Sequence, residues 1–370
     1  MADSSLRIAM LGPAPPFRGG ISVFATHLGH ELSSQDHEVH YFNFISQYPK
    51  FLFPGGDQMD ETCPDINSER ILTPYLPYTW LHTIKSINQY QPDIVLVSWW
   101  LPFFAPAFGT ILRKLLSTRI IYIAHNIIPH EFWPGTKTLL KYALSPAQKI
   151  VVLSKACLDD LKRYLPNSIA RKGILGFHPI YNYAKPDVVQ RSTVQPDPHT
   201  ILFFGLIKPY KGLDVLLKAM PLIKAKHPGI KLVIAGAVYG SSAVYEEIIA
   251  DLGLDSQVER HYRYISDDEI AGFFERCGLC VLPYKSATQS GVIATAYSFD
   301  TPVIASNVGG LSEYIIPDQT GFLVEPENPQ ALADAIIRYI ETNSYIPMSA
   351  NIRDYKRRFG WDELVKLILK

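Results

Sequence analysis

Two lysines three positions apart, Lys208 and Lys211, stand in the run Gly205-Leu-Ile-Lys-Pro-Tyr-Lys-Gly212, and a helix is predicted from Leu213. Ammonium groups beside a helix start concentrate positive charge where a diphosphate would sit. A nucleoside diphosphate leaving a sugar gains negative charge as its bond breaks, and fixed cations and amides aimed there lower that barrier. A solvated lysine pair on a turn would read the same from this run alone. Two similar runs follow, however. In Tyr284 through Val292, Ser290 and Gly291 offer amides at a helix start and Gln289 stands beside them. Asn307 through Glu313 carries Gly309-Gly310. Helix starts present unpaired N–H groups to anions. Three such turns in one half of the chain favour a ligand that carries phosphates.

The first half offers fewer groups. Gly12-Pro-Ala-Pro-Pro-Phe-Arg-Gly19-Gly20 joins an apolar run to a helical one, and its glycines permit close backbone approach. The G-x-G-x-x-G spacing of a dinucleotide site is absent. His125-Asn126-Ile-Ile-Pro129-His130-Glu131 follows another apolar run. His125 has three uses open to it: hydrogen-bonding a substrate hydroxyl, carrying a proton near its ordinary pKa, or capping its loop. Asn126, His130 and Glu131, in the same turn, are candidates for an acceptor side. His27, His30, His37 and His40 read as surface residues. Cys277 and Cys280 form C-x-x-C, but an apolar run begins at Cys280 and no partner pair lies near, so a buried helix-to-strand junction is predicted. No D-x-D motif is present, so no metal ligand is assigned.

These residues need elements to hold them. Uncharged or nearly uncharged runs (Arg7–Leu11, Glu38–Phe42, Ile94–Val97, Arg119–Ala124, Ile150–Leu153) alternate with helical stretches. Strands without polar alternation, separated by helices, mean a parallel sheet covered on both faces. The pattern restarts at Thr200–Ile207 and continues through Lys231–Ala235, Val258–Tyr262, Leu279–Pro283 and Pro302–Ser306. The 370 residues exceed a single core's usual size. The expected organisation is therefore an α/β chain of two doubly wound domains: 1–183, a proline-bearing linker at 184–199, and 200–350. Ligands of such sheets bind outside the carboxyl ends of the strands, which is where the lysines, glycines and His125 fall.

Composition excludes other classes. Lys plus Arg and Asp plus Glu number 35 each, against the basic excess of a nucleic-acid binder. The balance is uneven: residues 1–183 hold 16 basic and 13 acidic side chains, residues 184–370 hold 19 and 22. Apolar residues make up 47%, which excludes disorder, and four cysteines make no disulfide scaffold. Residues 94–112 carry no charge and are long enough to span a bilayer, but Pro102 and Pro106 interrupt them. A strand, a proline loop and a helix are predicted there. The N-terminal apolar run is too short for a signal peptide, so a cytoplasmic location is expected. Trp80, Trp99, Trp100, Phe103, Phe104 and Phe108 share their region with Lys85, Arg113, Lys114 and Arg119, a mixture suited either to an anionic membrane surface or to a core strand plus helix.

As an ordered set, Gly19-Gly20-Ile21, His125-Asn126, Gly205 through Gly212, Thr301-Pro302-Val303-Ile304-Ala305, Gly309-Gly310 to Glu313 and Thr320-Gly321-Phe322-Leu323-Val324 resemble the GT-B glycosyltransferases of family 4. The wording HN..PHE and ATQSG is similar to that of a bacterial subgroup. The resemblance implies the GT-B architecture, two Rossmann-like domains facing a central cleft, with a last helix (351–370) crossing back to the first. It implies transfer of a hexose-type sugar, with retention and without metal, from a UDP- or GDP-sugar to a glycan or lipid-linked acceptor in cell-surface polysaccharide synthesis. No cofactor is expected beyond that donor. Gly19 and Gly20 correspond to the loop approaching the donor phosphates, His125 to the histidine on the transferred sugar, and Lys211 to the diphosphate lysine. Lys208 stands where arginine is usual. Tyr264 and Ile265 lie in the base-binding loop; Gln289, Ser290, Gly291, Val292 and Thr295 fall in the segment toward sugar and ribose. Two glutamates usual there are Ala287 and Thr295 here, neither a carboxylate. A nucleotide-sugar epimerase of the same fold, or a non-catalytic nucleotide-sugar-binding subunit, are the alternatives.

Overall fold

The computed structural model describes residues 5–49, 59, 66, 68–128, 135–181, 196–287 and 290–370. Contacts divide the chain into two compact units, Met1–His178 with Trp361–Lys370, and Pro179–Gly360.

In the first unit the strands are β1 (Arg7–Leu11), β2 (Glu38–Phe44), β3 (Ser68–Leu72), β4 (Ile94–Trp99), β5 (Arg119–Ala124), β6 (Lys149–Val152) and β7 (Gly173–Leu175). They form one sheet in the order β3-β2-β1-β4-β5-β6-β7, every pair parallel. The helices between them are α1 (Gly20–Ser34), α2 (Pro77–Tyr90), α3 (Ala105–Leu112), α4 (Thr136–Leu144), α5 (Lys155–Tyr164) and α6 (Asn167–Ala170). Every residue of the central β4 is buried, as its uncharged, β-branched sequence requires of a strand covered on both faces.

The second unit repeats the plan with β8 (Asp197–Phe204), β9 (Lys231–Ala235), β10 (Val258–His261), β11 (Cys277–Leu282), β12 (Val303–Ser306) and β13 (Gly321–Val324), ordered β10-β9-β8-β11-β12-β13. Its helices are α7 (Leu213–Lys226), α8 (Ala243–Asp251), α9 (Asp267–Phe274), α10 (Gly291–Ser298), α11 (Pro329–Glu341) and α12 (Tyr345–Lys356). In each sheet the strand order reverses about one pair, β1 and β4 or β8 and β11. Open α/β sheets bind ligands at that switch point.

The chain returns to the first unit only at α13 (Trp361–Leu369), ten residues later than the expected 351. Residues 351–360 stay in the second unit because Ile352 and Tyr355 bury themselves in its core, and Asp300 accepts from Arg353 at 2.9 Å and Lys356 at 2.6 Å. The C-terminal carbonyls of α13 are met in the first unit by Lys149, whose Nζ donates to Leu367 O at 3.2 Å and Ile368 O at 3.0 Å, and by Arg119, which donates to Leu369 O at 3.0 Å. Cations there answer both the unpaired carbonyls and the helix dipole. The other hand-over falls at His178–Pro179, ahead of the expected linker; most of that linker, 184–195, lies outside the described residues.

The uncharged stretch after Asp93 is β4, a 3-10 turn at Pro102–Phe104 and α3. Among the described residues no helix is long and apolar enough to cross a membrane. Trp99, Phe104 and Phe108 are fully buried, and Trp80, Trp100 and Phe103 pack against the same core, so those aromatics serve packing. His37 is also inside, against expectation: its Nδ1 accepts from Leu6 N at 3.3 Å. Cys277 and Cys280 both lie within β11, fully buried, and burial pushes the Cys277 thiol up to about 12.

Candidate functional site

The second unit gathers most of the assigned residues around the carboxyl ends of β8 and β11. β8 stops at Phe204, and the chain runs through Gly205 and Lys208 into a 3-10 turn, Pro209–Lys211, which Gly212 joins to α7. Gly212 is the one residue type that fits: its φ is 69°, and a Cβ would lie 1.9 Å from Pro283 O, the carbonyl just beyond β11. That close approach brings the Lys211 turn against Tyr284. The Lys211 ammonium lies over the Tyr284 ring, 5.3 Å from its centroid. A Cβ on Gly205 would sit 3.4 Å from both Lys211 Nζ and Val292 Cγ2, so the ammonium stands between the β8 turn and the start of α10.

Burial lowers the Lys211 pKa below the usual lysine value, although the residue as a whole is half-exposed. Among the described residues no carboxylate pairs with it. The nearby Asp214 is taken by Lys285, at 2.9 Å. A desolvated cation with no carboxylate partner among the described residues suits an anion. Lys208, by contrast, lies over the Tyr239 ring at 4.5 Å.

At α10, Ser290 caps the helix, its Oγ accepting from Val292 N at 3.3 Å, and the Tyr284 hydroxyl is 3.4 Å from the same Oγ. Thr295 is buried and donates its hydroxyl proton back to Gly291 O at 3.0 Å, which leaves its oxygen as an acceptor only. Ala287 is buried in the apolar cluster that includes Tyr284 and Ile293. Gln289 lies outside the described residues. The Gly309–Glu313 run is a 3-10 helix with Glu313 exposed. After β10, Ile265 is buried beneath half-exposed Tyr264. Arg263 braces this loop, donating to Tyr264 O at 3.0 Å and Glu269 Oε2 at 2.9 Å. Glu269 closes a capping box with Ser266, and these partners hold its carboxyl down to about 2.

In the first unit Gly19 caps α1 at φ 113°, and neither it nor Gly20 has an atom within 4 Å of a would-be Cβ, so the turn's surface is open. His125 follows β5, its N–H donating to Trp99 O at 2.8 Å. Its ring is buried edge-on against Phe24 of α1, 4.9 Å between centroids. Burial, with His178 adding to it, holds its pKa down at about 3. The proton-carrier use therefore falls away at neutral pH: His125 is a neutral imidazole, able to hydrogen-bond but not to cycle a proton there. Asn126 is half-exposed beside it, while His130 and Glu131 lie outside the described residues. Among the described residues no group of three His, Cys, Asp or Glu could hold a metal ion.

Residues 18–171 match the model of Glycosyltransferase Family 4, and residues 185–359 that of the glycosyl transferases group 1. The chain belongs to the GT-B glycosyltransferases. The uncharacterised glycosyltransferase MJ1178 of Methanocaldococcus jannaschii is 29% identical over 266 residues, 71% of this chain and 70% of that one. The D-inositol 3-phosphate glycosyltransferase of Paenarthrobacter aurescens is 32% identical over 181 residues; the match spans 48% of this chain and less than half, 44%, of that relative's length. Among solved structures, HepE from Anabaena in complex with UDP superposes with a TM-score of 0.70 at 17% identity, covering 98% of this chain and 99% of that one.

Several side chains of this glycosyltransferase escaped sequence reasoning. Tyr284 stood in the quoted run without a role, yet its ring meets Lys211, Tyr210 and the α10 cap. A tyrosine two residues after a buried strand was the available signal. Phe24, His178 and Trp361 gave none, because their common contact joins segments more than 150 positions apart.

Proposed function

We propose that this glycosyltransferase moves a hexose-type sugar from a nucleoside-diphosphate sugar to a glycan or lipid-linked acceptor, with retention and without metal, in cell-surface polysaccharide synthesis. The observation that carries the reading is Lys211, a desolvated ammonium with no carboxylate partner among the described residues, beside the capped start of α10. In this reading residues 200–350 hold the donor. Lys211 and the amide of Gly291 meet the diphosphate, with Val292 behind the Ser290 cap, Lys208 adds positive charge, and Gly19 and Gly20 approach the same phosphates. Tyr264 and Ile265 flank the base through their backbone, and Gln289, Ser290 and Thr295 serve the sugar and ribose.

His125, neutral at pH 7, hydrogen-bonds the transferred sugar, with Asn126, His130 and Glu131 toward the acceptor in residues 1–183. As the anomeric C–O bond to the diphosphate breaks, the acceptor hydroxyl attacks from the same face. The leaving phosphate oxygen takes its proton, and the charge left behind falls to Lys211. UDP as the donor nucleotide is supported by HepE, described in complexes with UDP and with UDP-glucose.

A cytoplasmic protein resting on the inner membrane face is part of the proposal. On the first unit, Tyr78, Leu81 and Leu116 are about 70% exposed or more, and Lys85, Lys114, Lys137 and Lys141 are exposed on the same run of helices and turns. Within residues 75–158 the acids are Asp93 and Glu131 alone. A one-signed surface with apolar side chains suits anionic lipid.

Thermal-shift measurements against UDP, GDP, ADP and their sugars, followed by product analysis with glycan acceptors, test the reading. Stabilisation by one nucleotide with acceptor-dependent release of it supports transfer. Altered free sugar without acceptor means an epimerase. Binding without turnover, the outcome the missing carboxylates at Ala287 and Thr295 would favour, means a non-catalytic subunit.

A further inference from the structure

The chain passes between its compact units at His178–Pro179 and at Gly360–Trp361. On the first unit's side both crossings end on one ring. Phe24 is 1% exposed. It meets the His178 imidazole edge-on at 5.3 Å between centroids, the Trp361 indole at 5.0 Å, and the His125 imidazole edge-on at 4.9 Å. His27, three residues along α1, stacks on Trp361 at 5.5 Å and 17°. On the second unit's side the two crossing segments are tied to each other, Ile180 N donating to Phe359 O at 3.1 Å.

We propose that Phe24 is a positioning residue for His125, held in place by His178 and Trp361, so that the segments joining the two units set the orientation of the imidazole. The inference rests on the reading of His125 as the group contacting the transferred sugar. The hydrogen bond to Trp99 O fixes the backbone of residue 125 and does not by itself set the ring torsions. An edge-on ring partner restricts them. Phe24 is in turn fixed by the last residue before one crossing and the first after the other. In two-domain enzymes hinge residues absorb the change in backbone torsion on closure, so a turn at either crossing reaches His178 or Trp361 first and Phe24 next. Misplacing a reacting or hydrogen-bonding group by about 1 Å costs on the order of 100-fold in rate, which is why such a contact has a kinetic signature.

The test uses the full chain with Phe24→Leu, Trp361→Leu, Trp361→Phe, His125→Ala and the double variant Trp361→Leu/His125→Ala. Melting temperature, nucleotide Kd and kcat for nucleotide release from the sugar donor are measured, with UDP and UDP-glucose as probes, or GDP and a GDP-sugar if GDP gives the larger thermal shift. Phe24→Leu and Trp361→Leu lower kcat roughly 10- to 100-fold while nucleotide Kd stays within about twofold, since, apart from the Gly19–Gly20 turn, the proposed nucleotide contacts lie in the other unit. Trp361→Phe, which keeps a ring, recovers kcat to within about threefold. The double variant is no slower than His125→Ala, as expected of residues acting through one group. Additive losses in the double variant overturn the inference. So does wild-type kcat in Phe24→Leu and Trp361→Leu when His125→Ala is inactive, with the role of His125 left standing. A fully active His125→Ala overturns the role of His125 itself. Should Trp361→Leu fail to fold, Phe24→Leu, which keeps most of the apolar volume, and its double with His125→Ala carry the same comparison.

Discussion

Lys211 and Tyr284 face each other across the switch point of the second sheet, ammonium over ring at 5.3 Å. Neither the turn after β8 nor the one after β11 makes this arrangement alone. The Tyr284 ring carries the cation on its face and holds the Ser290 cap of α10 within 3.4 Å of its hydroxyl. One aromatic side chain thus joins a buried positive charge to a helix N-terminus, two features that each attract an anion.

Lys211→Ala lowers kcat with the correct donor by about 100-fold or more, the scale of losing one fixed group that meets transition-state charge. Steady-state kinetics check this. A fall of less than about threefold would put the diphosphate elsewhere.

Gly212→Ala is expected to destabilise the protein by about 2–5 kcal/mol, combining the left-handed backbone with a clash that must displace Pro283. The same displacement moves the Lys211 turn, so nucleotide binding weakens in whatever fraction folds. Chemical denaturation and a UDP titration on one sample measure both effects.

Removing Glu269 unties Arg263 and Ser266 from the loop that carries Tyr264 and Ile265. Glu269→Ala should raise the nucleotide Kd by about 3- to 10-fold through the cost of ordering the loop on binding, with little change in kcat. Calorimetric titration distinguishes this from a defect in chemistry.

His125 contributes a pH dependence of definite sign. Its folded pKa, about 3, lies below the ordinary histidine value near 6.5. Between those values the unfolded chain binds the extra proton, so stability rises with pH through the window and is lost as pH falls from about 6.5 toward 3. The slope from this one group reaches about 1.4 kcal/mol per pH unit. From pH 6.5 to 5, above most carboxylate titration, the wild-type melting temperature should fall more steeply than that of His125→Asn. Equal slopes would mean the imidazole is hydrated.

Lys85→Glu/Lys114→Glu should abolish pelleting with vesicles rich in anionic lipid, each basic residue being worth about 1 kcal/mol at such a surface. Sedimentation against neutral vesicles is the control. Equal behaviour of wild type and variant removes the proposed membrane face.

How far the sequence reached can be argued from particular residues. Local order was legible because uncharged strand runs such as Ile94–Val97 admit few structures other than a doubly covered parallel strand. Motifs at strand ends were legible because the fold puts ligands there. By itself, then, the sequence determined two α/β units, their family, and the turns from which Gly19, His125, Lys211 and Ser290 project. Tertiary structure alone decided what those side chains experience. It buried Trp99, Phe104 and Phe108, which could equally have faced lipid, kept residues 351–360 with the second unit through Asp300, and took His125 out of the titration range. It also set Lys211 against Tyr284, and His178 and Trp361 against Phe24. The physical reason is common to all of these: desolvation and ring contacts depend on which distant segments share a volume, and no local pattern records that.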